Sequence, residues 1–143
     1  MLKFVVGFDG SAGSKRALDF AVAAAQAQDA GIVLAHVLEW SPYSFLTPQE
    51  VEERHVRRKE ELERAESALV APVVKALSAK GAKVESVMRY GHVADTLAQI
   101  VKEFSASQIF IGRAGQSELA SRVFGSVAGS LAQSSPVPCT IVP

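Results

Sequence analysis

Short apolar runs alternate along this chain with longer stretches in which apolar positions recur at helical spacing. Lys3 to Phe8 reads as a short buried strand that ends at Asp9-Gly10. Ser11 or Ser14 can cap the helix that follows, whose apolar face runs through Ala17, Leu18, Ala21, Ala24 and Ala25. Ile32 to Leu38 is a second strand, nearly continuous in apolar residues apart from His36. Such runs suit a parallel strand covered on both faces. Ser41 to Thr47 reads as a loop. A long charged helix begins near Pro48, with Glu50/Arg54, Glu53/Arg57 and Glu60/Arg64 at i,i+4 spacing on a solvated face. Its apolar stripe is Leu62, Ala65, Leu69, Val73 and Leu77, Pro72 is expected to kink it, and Lys80-Gly81 ends it.

The second half repeats the rhythm. Lys83 to Arg89 is a third strand, and Gly91-His92-Val93 turns into a helix with apolar positions Leu97, Ile100, Val101 and Phe104. Gln108 to Ile111 is a fourth strand, 113–124 a loop, the region from Ser126 a last helix, and Pro138 to Val142 a last strand. Strands alternating with helices predict an α/β fold: a Rossmann-like open five-stranded parallel sheet with helices on both faces. Strand order 3-2-1-4-5 puts the ends of strands one and four side by side, where the winding reverses and ligands bind in such sheets. Asp9 and Gly112 meet there.

Composition narrows the classes. The 143 residues suit one domain, 1–143, with no linker or low-complexity segment. Fifteen basic and fifteen acidic residues cancel, so bulk charge gives no argument for nucleic acid as a partner. No apolar stretch approaches the ~20 residues of a membrane span. The chain enters its first strand without a signal-peptide pattern, so a cytoplasmic location is expected. The single cysteine, Cys139, excludes an internal disulfide framework and reads as a strand residue.

Candidate chemistry concentrates near the C-terminus. Gly112, Gly115 and Gly125-Ser126 follow the apolar run Ile109-Phe110-Ile111 with spacing G-x2-G-x9-G-S. Glycines let a backbone approach an anion, and the N–H groups and dipole of a helix starting near Ser126 favour phosphate. The bland alternative is a glycine-punctuated loop with a serine cap. Asp9 is placed to contact a ribose, an adenine amino group or a metal, or to close an Asx turn over the first helix; these roles can coexist. Arg113 either pairs with outer phosphates or is solvated. Gly10 to Lys15 and the Gly7/Gly10/Gly13 series miss the spacings of a P-loop and of a dinucleotide fingerprint. His36, His55 and His92 form no metal set; His36 reads as a satisfied core histidine and His92 as a residue at the crevice rim. No nucleophile–base pair or paired carboxylates emerge, so no catalytic residue is assigned.

These residues resemble the universal stress protein family over essentially the whole chain. The resemblance rests on Val5-Val6-Gly7-Phe8-Asp9-Gly10-Ser11 with Ser14 and Ala17, on His36-Val37, and on Tyr90-Gly91 with Ala94. It continues through Ile111-Gly112-x2-Gly115-x9-Gly125-Ser126-Val127 and Pro136-Val137-Pro138. The glycine spacing resembles that of the family's ATP-binding branch. The resemblance implies the same sheet order and ATP binding, with ADP or AMP as alternatives. Asp9 and Val37 would contact the adenosine end, and Gly112, Gly115, Gly125, Ser126 and Val127 would hold the ribose and phosphates; Phe8, Ile111 and Arg113 are counted with them as candidate binding residues, Ile111 standing where the family often has Met. Mg2+ would be held mainly by the phosphates. It also implies a homodimer through the C-terminal strand 138–142, an edge that needs cover on physical grounds too. Ser107, Ala128 and Arg113 depart from the family pattern, which more often has Asp, a polar residue and a small residue at these places. The leading function is a nucleotide-dependent dimeric switch in stress response, acting on a regulatory protein partner. The alternatives are a slow ATPase or autophosphorylating enzyme, with Ser117 or Ser121 as acceptor, and a structural dimer without nucleotide.

Overall fold

A computed structural model describes residues 1–39, 47–114 and 125–143. The expected loop after the second strand and most of the loop after the fourth, including Gly115, Ser117, Ser121 and Arg122, lie outside the described residues.

Five parallel strands form one sheet: β1 (Lys3–Gly7), β2 (Gly31–Glu39), β3 (Val84–Gly91), β4 (Gln108–Gly112) and β5 (Cys139–Val142). Their order is β3-β2-β1-β4-β5, as the sequence predicts, with Val5 level with Val33 on one side and Ile109 on the other. Side chains alternate between faces along each strand, so the sheet carries two cores. Helix α4 (Val93–Glu103) and helix α5 (Ser126–Ser134) cover the face of Val5, Val33, Ala35, Ile109 and Ile111. Helix α1 (Ala12–Gln28) and helix α3 (Ala71–Ala79) cover that of Phe4, Val6, Leu34 and Phe110. Burial on both faces is why β1 and β4 read as unbroken apolar runs.

Several boundaries differ from the sequence reading. Asp29 takes a left-handed conformation (φ 53°) and ends α1, and β2 opens at Gly31 and closes at Glu39, one residue beyond the expected strand at each end. Helix α2 (Pro48–Ala65) starts with a capping box between Thr47 and Glu50. It runs without interruption into a π-helical turn, Glu66–Val70, and then α3. The disturbance expected at Pro72 shows as a local change of winding one turn earlier. Proline lacks an N–H and its ring presses on the carbonyl four residues back; a widened turn around Ala68 relieves that crowding. The packed stripe is also shifted: Val70 is buried, with Leu69, Val73, Val74 and Leu77 around it. Leu62 and Ala65 belong to α2, which buries no residue.

Strand β3 continues to Gly91, past the expected end at Arg89. The Tyr90 hydroxyl donates to the Glu61 carboxylate at 2.5 Å, and the Arg58 guanidinium sits 5.4 Å from the ring. These contacts tie α2 to the sheet edge. Arg89 pairs with Glu103 of α4 on the opposite face.

Candidate functional site

The carboxyl ends of β2, β1 and β4 and the start of α5 enclose a crevice of about 500 Å³. Phe8, Asp9, Val37, Ile111, Gly112, Arg113, Gly125, Ser126 and Val127 all line it. Nine of the ten residues singled out from the sequence therefore meet at one place; the tenth, Gly115, lies outside the described residues. Ser11, Ser14, Ala35, Glu39, Val93, Leu97 and Ala128 complete the wall with others.

The β1 side is built by a tight set of hydrogen bonds. The Ser11 N–H donates to Asp9 Oδ1 at 2.9 Å, closing an Asx turn. Ser11 caps α1: its hydroxyl oxygen accepts from the Ser14 N–H at 3.1 Å. The Ser14 hydroxyl donates to the Ser11 carbonyl and accepts from the Asp9 N–H. Gly10 connects these turns at φ 81°, a conformation costly for other residues. Asp9 is thus held by the expected Asx turn while lining the crevice.

Phe8 contributes wall rather than donors. Its ring lies in the α1-side core, its N–H donates to the Ala35 carbonyl at 2.8 Å, and its carbonyl accepts from His36 Nδ1 at 2.7 Å. That bond fixes a proton on Nδ1 of His36, which is 6% exposed, in keeping with a satisfied core histidine. His92 is different from its expected place at the crevice rim. It is exposed at the start of α4, its Nδ1 is 3.3 Å from Asp95, and it is not part of the crevice wall.

The β4 side combines close packing with open donors. A Cβ on Gly112 would lie 2.8 Å from the Gly13 carbonyl carbon and 3.0 Å from its oxygen; one on Gly13 would lie 2.7 Å from the Ala114 oxygen. The two glycines let the first turn of α1 clasp the end of β4. Sequence reading placed Gly112 at an anion and gave Gly13 no role; the contact between distant segments is their structural reason. The Arg113 N–H donates to the Val142 carbonyl, and the Gly125 N–H to the Arg113 carbonyl. Arg16 also reaches this end, its Nε donating to the Pro143 carbonyl at 3.1 Å.

Helix α5 opens onto the crevice. Its first internal bond is from the Gly129 N–H to the Gly125 carbonyl, which leaves the N–H groups of Ser126, Val127 and Ala128 ahead of it. No side chain among the described residues caps them. An uncapped helix start beside Arg113 favours an anion. Ala35, Val37, Leu97 and Ile111 give the crevice an apolar floor between this end and Glu39. Among the described residues no group of three or more His, Cys, Asp or Glu is placed to hold a metal ion.

The crevice thus joins an apolar floor to an anion-favouring end. The profile of the universal stress protein family (Usp) matches residues 1–143. The chain belongs to the universal stress protein family. It is 30% identical to universal stress protein YxiE of Bacillus subtilis, over 98% of this chain and 97% of that one. UspA from Lactobacillus plantarum has the same fold, with a TM-score of 0.81 at 20% identity, covering 99% and 97% of the two chains. Two structures carry a ligand in their descriptions. One is a universal stress protein in complex with cAMP (TM-score 0.62, 24% identity, 99% and 97% covered). The other is an Arabidopsis thaliana family member with AMP bound (TM-score 0.65, 17% identity, 99% and 90% covered). No helix among the described residues is long and apolar enough to cross a membrane.

Proposed function

We propose that the crevice binds an adenine nucleotide, ATP with ADP and AMP as alternatives, and that occupancy sets the contacts of a homodimer with a regulatory protein partner in a stress response. The observation that carries this reading is the uncapped start of α5 facing Asp9 across an apolar floor, beside Arg113. In this reading Asp9 accepts from ribose hydroxyls and Val37 packs on the adenosine end. The N–H groups of Ser126 and Val127 receive phosphate oxygens, and Arg113 meets the outer phosphates. Gly112 and Gly125 keep the backbone close. Ala128 supplies an N–H but no side-chain hydroxyl. Mg2+ would be carried by the phosphates, since the protein's own nearby carboxylates are few. The AMP and cAMP complexes of relatives support the adenine assignment.

Dimerisation is proposed through residues 138–142. The carbonyls of Pro138 and Val142 face β4, so strand alternation turns the N–H and C=O of Cys139 and Ile141 outward. An open edge of this kind is completed by a second strand. Nucleotide extraction from the purified protein followed by mass spectrometry tests the first part; an adenine nucleotide is expected. Absence of nucleotide together with no binding on titration would remove this reading.

A further inference from the structure

We propose that the outer edge of β3 pairs antiparallel with the same edge of a second copy, about a two-fold axis at Val87. This surface is separate from the crevice and lies at the end of the sheet opposite β5.

β3 stands first in the order β3-β2-β1-β4-β5 and pairs only with β2. The Ile32 N–H donates to the Lys83 carbonyl at 2.8 Å, and Ile32 is level with Val84. Strand alternation therefore turns the N–H and C=O of Glu85, Val87 and Arg89 toward β2. Those of Val84, Ser86, Met88 and Tyr90 point outward. Among the described residues nothing hydrogen-bonds to these four outward backbone pairs. An open edge on a strand of eight residues is a template for another strand.

The charge pattern selects that strand. Glu85, Val87 and Arg89 are level with Val33, Ala35 and Val37 and so share the α4 face. With Val87 opposite Val87, Glu85 of each copy stands opposite Arg89 of the other. An axis at Ser86 would instead set Lys83 against Arg89, and one at Met88 would set Glu85 against Gly91. The Val87 register also matches the outward groups. Ser86 faces Met88 and Val84 faces Tyr90, each pair exchanging two N–H···O bonds, about eight in all. The Glu85–Arg89 pairs fall at the closer, non-hydrogen-bonded positions, where opposite charges favour the pairing. Lys3 already holds Glu85 at 2.8 Å, and Glu103 holds Arg89 at 2.7 Å. Each junction then alternates in sign: Lys3, Glu85, Arg89, Glu103. Charges on an edge strand ordinarily keep other strands away; these admit a second copy of their own pattern. A single strand pair buries little area, so the association is weak, with Kd on the order of 100 μM.

The test is disulfide cross-linking of the full chain, carrying Cys139→Ser and either Val87→Cys or Ser86→Cys, under copper-catalysed air oxidation. At the axis the two Cα atoms lie about 4.5 Å apart, within disulfide reach. The two copies of position 86 are diagonal, about 7–8 Å apart, and beyond it. Val87→Cys should therefore cross-link at least about tenfold faster than Ser86→Cys, although Ser86 is the more exposed of the two. Adding Glu85→Arg or Arg89→Glu to Val87→Cys sets like charges opposite each other twice and should slow cross-linking about tenfold. Mixing those two variants restores opposite charges at both places and should restore the rate. Absence of cross-linking, equal rates at the two positions, or a rate indifferent to the charge variants would overturn the proposal.

Discussion

Replacing Gly112 by alanine tests the clasp between α1 and β4. The added methyl carbon would meet the Gly13 carbonyl carbon at 2.8 Å, its oxygen at 3.0 Å and the Ser14 nitrogen at 3.2 Å. Ordinary carbon contacts lie at about 3.5–4.0 Å. All three obstacles are backbone, so no side chain can swing away. Gly13 cannot retreat freely, because the Ser11 cap and the Ser14 hydroxyl fix that turn. Overpacking of this kind costs about 1–3 kcal/mol, and the rigid partners place Gly112→Ala at about 2–3. For a chain of this size that lowers Tm by roughly 6–12 °C. Gly129→Ala is the matched control. A Cβ there meets nothing within 4 Å, and removing a helical glycine should stabilise by about 0.5–1 kcal/mol. Urea denaturation followed by circular dichroism gives both values, with unchanged slopes expected. A Gly112→Ala midpoint equivalent to less than about 0.5 kcal/mol of destabilisation would refute the steric argument.

Three further predictions concern other contacts. Ser11→Ala removes the α1 cap and should cost about 1 kcal/mol in the same denaturation assay, with Ser11→Asn restoring most of it. Tyr90 has its pKa pushed up to about 12 by burial and by the Glu61 carboxylate, with Arg58 opposing. Its stabilising contribution is complete below the ordinary value of 10.0 and is lost as pH rises from there through about 12. Tyr90→Phe should therefore flatten the decline of stability in that window, and an unaltered decline would count against the Tyr90–Glu61 link. Burial also pushes the Cys139 thiol above its ordinary 9.0. It should react more slowly with a disulfide reagent at neutral pH than a free cysteine, and more slowly again as protein concentration rises if β5 forms the dimer edge.

The sheet order and the meeting of Asp9 with Gly112 were legible because each follows from local pattern plus the handedness of parallel crossovers. Apolar runs marked β1, β2 and β4, and glycine spacing marked the start of α5. What escaped the sequence were contacts between segments far apart in the chain. The fit of Gly13 against Gly112 depends on how closely α1 approaches β4, and nothing local encodes it. Glu39 fell one residue past the expected end of the second strand, and only the assembled sheet set it in the crevice wall. β3 ran two residues beyond Arg89 because Tyr90 and Gly91 still find partners in Leu38 and Glu39 of β2. His92 looked like a rim residue by order along the chain, yet it stands exposed beside Asp95 at the start of α4. Pro72 announced a disturbance, but not that it would fall one turn earlier as a π turn ending at the buried Val70.

Direct titration of the purified chain with ATP, ADP and AMP, on wild type and on Val37→Trp, tests the central claim most closely. Val37 lines the crevice floor, so an indole there should fill the slot assigned to the base. Saturable binding at one site per chain, weakened at least about tenfold by Val37→Trp with little change in melting temperature, is the predicted result. Binding of equal strength in the two proteins, or no binding in wild type, would contradict the placement of an adenine nucleotide between β2, β1, β4 and α5.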